Sequence, residues 1–117
     1  MRARIRAGDL RVPVFIGKPS ITRDNTGAER VTWADQKTFA MFEPLTGREW
    51  MAANMLKDAV DIRITIRYIP QWVPSARWRV VDPATGITWQ IVTVMVNQSL
   101  AVVECLARNA EGNTDGR

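Results

Sequence analysis

Residues 60–69, VDIRITIRYI, alternate apolar and polar positions without a break. Ile62, Ile64, Ile66 and Tyr68 fall on one side, and Asp61, Arg63, Thr65 and Arg67 on the other. That alternation predicts a half-buried strand with one wet or partner-facing side. Val12, Val14 and Ile16 alternate in the same way within residues 10–18, LRVPVFIGK. Pro13 has no N–H to donate, so this strand is expected at a sheet edge, or to begin there. Further strands are expected at 30–34, 37–44, 77–82, 87–96 and 99–107. The segment 87–96, ITWQIVTVMV, is apolar on both faces.

Turn formers separate these runs. Residues 19–29, PSITRDNTGAE, place Asp24, Asn25 and Gly27 where a hairpin tip needs them. The segment 20–32 can therefore form a long two-stranded ribbon standing off the body. Two prolines interrupt PQWVPSAR, PATG at 83–86 reads as a turn, and Asn97-Gln98 fits a tight hairpin.

One stretch departs from the alternation. In FEPLTGREW, Thr46 is followed three residues later by Glu49, the spacing of a capping box. Leu45 precedes the cap and Trp50 is its partner in a hydrophobic staple. Both signals predict a helix starting at Gly47 and running through GREWMAANMLKD. Its apolar stripe, with Trp50, Met51, Ala53, Met55 and Leu56, would pack on the strands, leaving Arg48, Asn54 and Lys57 wet. Six or seven short strands and one helix predict a mainly β fold: a small β-barrel with one short α-helix and a long protruding loop. The expected layout is a basic N-terminus over 1–9, a barrel domain over 10–108, and a polar, disordered tail over 109–117.

Composition narrows the chemistry. The chain has 117 residues, the size of one domain, and no histidine. That removes the commonest general base, the histidine-activated nucleophiles and most zinc sites. Its single cysteine, Cys105, sits in an apolar strand and reads as a core residue. Glu43 and Glu49 flank the turn before the helix, but a strand-end acid and a capping acid account for them. Asp24-Asn25-Thr26-Gly27 lacks the alternating acids and the closing glutamate of a calcium loop. No phosphate-cradling glycine motif is present. No catalytic residue, cofactor or metal ligand is expected. The apolar runs are too short to span a membrane as helices, and no membrane partner is expected. A cytosolic, reducing compartment is expected during synthesis.

The net charge of +4 permits contact with nucleic acid without requiring it. Trp72, Trp78 and Trp89, near Arg77 and Arg79, could stack single-stranded nucleic acid as an OB-like module does, or they could be core. The row Arg63, Thr65, Arg67 reads either as a solvated face or as a subunit interface whose arginines meet a neighbour's acids.

Taken in order, RAGDLRVPVFIGKP, RDNTGAERVTWAD, FEPLTGREWMAA, DIRITIRYIP and the closing strands ITWQIVTVMV and LAVVECLA resemble the phage head–tail joining family. These are the head-closure, head-completion or stopper proteins of the virion neck. The resemblance spans roughly residues 7–108. Pro13 in the first strand departs from it, and DPATGITW matches only loosely. The resemblance implies a non-enzymatic structural protein that forms a ring under the portal or connector and closes the DNA channel after packaging. It also implies an attachment surface for the tail or tail-terminator protein, contact with copies of itself, and contact with packaged DNA. Localisation would be the virion neck, with assembly in the host cytoplasm. Carried onto this chain, the channel-facing loop is Thr22, Arg23, Asp24, Asn25, Thr26, Gly27, Ala28, Glu29 and Arg30. Candidate subunit contacts are Arg48, Arg63 and Arg67. A tail-completion or other neck protein of related architecture is the nearest alternative, and an OB-like nucleic-acid module the more distant one.

Overall fold

The computed structural model describes residues 7–45 and 60–110. After a short 3-10 turn at Ala7–Asp9 come six strands. They are β1 (Val12–Arg23), β2 (Glu29–Pro44), β3 (Ile62–Arg67), β4 (Arg79–Val81), β5 (Thr88–Asn97) and β6 (Val102–Asn109). They close an antiparallel barrel in the order β1-β2-β3-β6-β5-β4. The small, nearly all-β barrel is therefore as expected. The capped helix, with Thr46, Gly47, Arg48, Glu49 and Trp50, lies outside the described residues. Leu45, half-buried after β2, is the last described residue before it.

The alternating side chains fill the barrel. Val14, Ile16, Ala40, Ile64, Ile66, Val80, Ile91, Val103 and Cys105 are all at most 2% exposed and form one cluster. Each buried valine or isoleucine contributes about 1.5–3 kcal/mol relative to an exposed one. Trp72 and Trp78 meet edge to face at 5.6 Å, and Phe42 meets Trp89 the same way at 6.3 Å. The Trp72 indole N–H donates to the Ile16 carbonyl at 3.1 Å, tying the 68–78 connection to β1. These tryptophans are thus core or core-lining residues. The Trp89 indole nitrogen is buried without a partner, which costs about 1–3 kcal/mol.

Two expected strands, 30–34 and 37–44, are one strand of 16 residues. The polar residues Asp35 and Gln36 interrupt the apolar pattern, but the pairing with β1 runs through them unbroken. The strand expected at 77–82 shortens to β4. The last strand starts later than expected because Ala101, at φ 58, ends the turn from β5. It also ends later: Asn109 pairs with Trp89, and its N–H donates to Asp61 at 3.0 Å. Residues 111–117 of the expected tail and 1–6 of the basic start lie outside the described residues. In β5 a register shift between Ile91 and Thr93 leaves Val92 out of the ladder, a β-bulge within the strand that is apolar on both sides.

β1 and β2 form the protruding ribbon. β1 pairs with β4 only over Phe15–Gly17, and β2 pairs with β3 only over Ala40–Pro44. Residues 18–34 therefore stand as two strands alone. The molecule extends 52 Å along its long axis, against 31 and 25 Å along the others. In the turn, the Asp24 N–H donates to the Ala28 carbonyl. With the register constant along the ribbon, even-numbered β1 residues form the hydrogen-bonded pairs with β2. Odd-numbered residues turn their nitrogens to the other edge, where β4 pairs only over Phe15–Gly17, and Pro13 and Pro19 fall outside that pairing.

Candidate assembly surface

The tip of the ribbon is held by one carboxylate. Asp24 Oδ1 accepts the Thr26 hydroxyl at 2.7 Å, the Thr26 N–H at 2.9 Å and the Ala28 N–H at 3.0 Å. Gly27 takes φ 86, a left-handed conformation that side chains disfavour. The Thr26 hydroxyl and amide, then the Ala28 amide and Arg30, hold the Asp24 carboxyl below its usual 3.8. Arg23 pairs with Glu29 at 3.2 Å and Arg30 with Asp24 at 3.6 Å. The two cations and two anions of residues 22–30 thus neutralise one another across the hairpin. Thr22, Asn25, Thr26, Gly27 and Ala28 are exposed around them. The Asp24 turn is a side-chain-capped hairpin tip, and the structure gives Asp24 only hydrogen-bond and arginine partners.

At the root of the ribbon, Arg79 crosses over β1. Its Nη2 donates to Asp35 at 3.0 Å, and its guanidinium carbon lies 4.3 Å from the centre of the Trp33 ring. This crossing needs Gly17. A Cβ there would run into the Asp35 carboxylate and come within 3.0 Å of the Arg79 side chain. Register explains the meeting: Gly17 pairs with Asp35 on one side and Arg79 on the other. The same lateral row continues through Gln90 of β5 to Arg108 of β6, which donates to Gln90 at 3.0 Å. Arg79 Nε is buried beneath this bridge with no partner.

Between the ribbon and the barrel lies a groove of about 770 Å³. Ile21, Val31 and Trp33 of the ribbon wall one side, and the 75–79 segment with Trp78 walls the other. Ile21 and Val31 are 62% and 52% exposed. Sequence reasoning missed this groove, because its walls come from segments far apart in the chain. A second apolar patch, Met95, Val96 and Leu100, is exposed around the β5–β6 turn.

The arginine row of β3 divides. Arg63 is held between Glu43 of β2 at 3.9 Å and Glu104 of β6 at 3.7 Å, with its side chain 13% exposed. Thr65 is fully buried and its hydroxyl has no partner. Arg67 is exposed. The row is therefore neither uniformly wet nor uniformly available, and the acids that meet Arg63 belong to its own chain. Arg48 lies outside the described residues.

Chemical groups are sparse. Burial, with Glu104 adding to it, pushes the Cys105 thiol up to about 12. Among the described residues no His, Cys, Asp or Glu cluster is arranged to hold a metal ion. No described helix is long and apolar enough to cross a membrane.

Comparison with known proteins adds the following. The family model described as phage head completion protein matches residues 5–109. No curated protein matches the chain. Among solved structures, protein SF1141 from Shigella flexneri 2a is similar at TM-score 0.70 and 24% identity, covering 90% of this chain and 96% of that one. A chain from the virion of a native gene transfer agent particle is similar at TM-score 0.55 and 16% identity, covering 86% and 94%. At these identities the two structures share the fold.

Proposed function

The chain belongs to the phage head completion protein family, and on that premise we propose that it works as a ring subunit of the virion neck. In this reading it sits under the portal or connector ring, closes the DNA channel after packaging and presents the surface to which the tail or tail-terminator protein attaches. The family match across nearly the whole described barrel carries the reading. The architecture supports it. A rigid barrel supplies a building block for a ring, and a ribbon standing off that block can reach toward a central channel. Residues 22–30 are the part assigned to the channel.

Charge shapes what such a tip can do. Its arginines are already paired with its own acids, so it offers a neutral surface to DNA rather than a cationic clamp. Blocking would then be steric, with DNA held back by bulk and not by ionic capture. Arg67, exposed at the end of β3, remains a candidate for contact with the next copy in the ring. The OB-like reading is less well supported, because Trp72, Trp78 and Trp89 pack on the core, leaving Trp33 as the exposed one among the described tryptophans.

The test is a phage lacking this chain, complemented in trans. Heads should package DNA but lose it, and tails should not attach; electron microscopy of complemented necks should show the subunit as a ring. Stable, tailed, infectious particles formed without the chain would end this reading.

A further inference from the structure

The groove between ribbon and barrel combines two features. Its walls are apolar, with Ile21, Val31, Trp33 and Trp78 facing one another. Its only charged lining groups among the described residues are Arg77 and Arg79. The two arginines differ. Arg79 is committed to Asp35 and to the Trp33 ring. Arg77 is exposed, and among the described residues its guanidinium takes part in no hydrogen bond or ion pair.

The Arg77 backbone is also unusual. It sits at φ 80, where a branched or bulky residue is disfavoured, and its N–H donates to the Ile91 carbonyl at 2.9 Å. Glycine or asparagine would adopt that conformation with less strain. An arginine held there with a free guanidinium at the mouth of an apolar groove suits a task at that place.

We propose that this groove is a docking site for an extended, acidic–apolar segment of another protein chain. Apolar side chains of the segment lie between Trp33, Ile21, Val31 and Trp78, and a carboxylate of the segment pairs with Arg77. Arg79, paired with Asp35, stacks on the Trp33 ring and holds it as a wall of the groove. Charge complementarity selects an acidic occupant, since no acid lines the groove among the described residues. Charge also argues against nucleic acid. Of the two lining cations Arg79 is already paired with Asp35, so a single arginine is left, which cannot track a run of phosphates. A short peptide presenting one carboxylate needs no more than that. The assignment does not depend on the neck reading, and it can fail while that reading stands.

The test uses the full chain and two acetylated, amidated hexapeptides, one alternating Glu and Leu and the other alternating Lys and Leu. Binding is followed by amide chemical shifts and tryptophan fluorescence. The Glu–Leu peptide should shift Trp33, Arg77 and Trp78 and bind at least about tenfold more tightly than its Lys–Leu counterpart, the effect expected of one charge-assisted hydrogen bond. Arg77→Gln should lower that affinity by a similar factor, and Trp33→Ala should lower it too. Both residues are exposed, so neither variant removes core packing. The proposal is overturned if neither peptide perturbs the groove or if the two bind equally. It is also overturned if Arg77→Gln binds like the unaltered chain, or if a deoxythymidine oligomer displaces the Glu–Leu peptide from the groove.

Discussion

The barrel wall and the ribbon are made by the same two strands, yet different forces hold them. From Val12 to Ile16 the even-numbered side chains of β1 face a filled core; from Lys18 to Thr22 the same face of the same strand is exposed. The pairing does not change between them, because the β1–β2 register runs unbroken from Val12 to Arg23. What changes is whether anything stands behind the sheet. Backbone pairing sets the shape of both regions, but burial stabilises only one. The ribbon relies on cross-strand pairs worth about 0.2–1 kcal/mol each and on its capped tip. It should open locally while the barrel stays closed.

The sharpest way to break the comparison is to damage the wall. Ile64→Ala empties a fully buried position and should lower global stability by about 2–5 kcal/mol. Urea denaturation would show it, with ribbon and barrel probes lost together. Next comes the junction. Gly17→Ala forces Arg79 off β1 and should cost about 1–3 kcal/mol. The environment of Trp33 should change in fluorescence even where the protein remains folded. An unchanged Trp33 signal would show that the Arg79 bridge does not couple the two regions.

A change at the tip should be smaller and local. Asp24→Ala should leave the barrel's melting temperature unaltered, while amides of residues 22–30 exchange several-fold faster. Acid offers the same test without mutation. The Asp24 carboxyl is held below its usual 3.8, so its contribution to the turn is complete above that value and is lost as pH falls through the lowered one. The Thr26 and Ala28 amide shifts should therefore move only below pH 3.8. Cys105 gives the smallest perturbation and the cleanest reporter. With its thiol pushed up to about 12 and buried, it should resist a disulfide reagent at pH 8 and react only as the barrel opens. Reaction at the rate of ribbon opening would refute the separation.

How much of this was legible in the sequence depends on distance along the chain. The alternation at Ile62–Ile66 gave the inward face of β3 correctly, because period-two patterning is local. The tip was legible for the same reason: Asp24 and Gly27 carry their turn chemistry within a few residues. The outward face of β3 was not. Periodicity says which side Arg63 and Thr65 take, but not what covers that side. Glu43 and Glu104, which hold Arg63, come from two other strands. The groove was less legible still. Trp33 and Trp78 lie far apart in sequence, and Arg77 adopts a backbone angle that its residue type does not announce. The union of 30–34 with 37–44 was hidden because a ribbon wet on both faces needs no apolar pattern to remain paired.

The prolines of β1 carry one last consequence. On the far edge of the ribbon, Pro19 offers no N–H, whereas every second residue of β2 from Val31 to Lys37 keeps its own, with no described strand beside it. The ribbon is therefore a template with one live side. A strand added along β2 would find donors and acceptors, while one added along β1 would meet an interrupted row. If two copies met β2 to β2, both outer margins of the resulting sheet would be proline-bearing ones. Growth would stop at the pair, as a polymer stops when both of its ends are terminated.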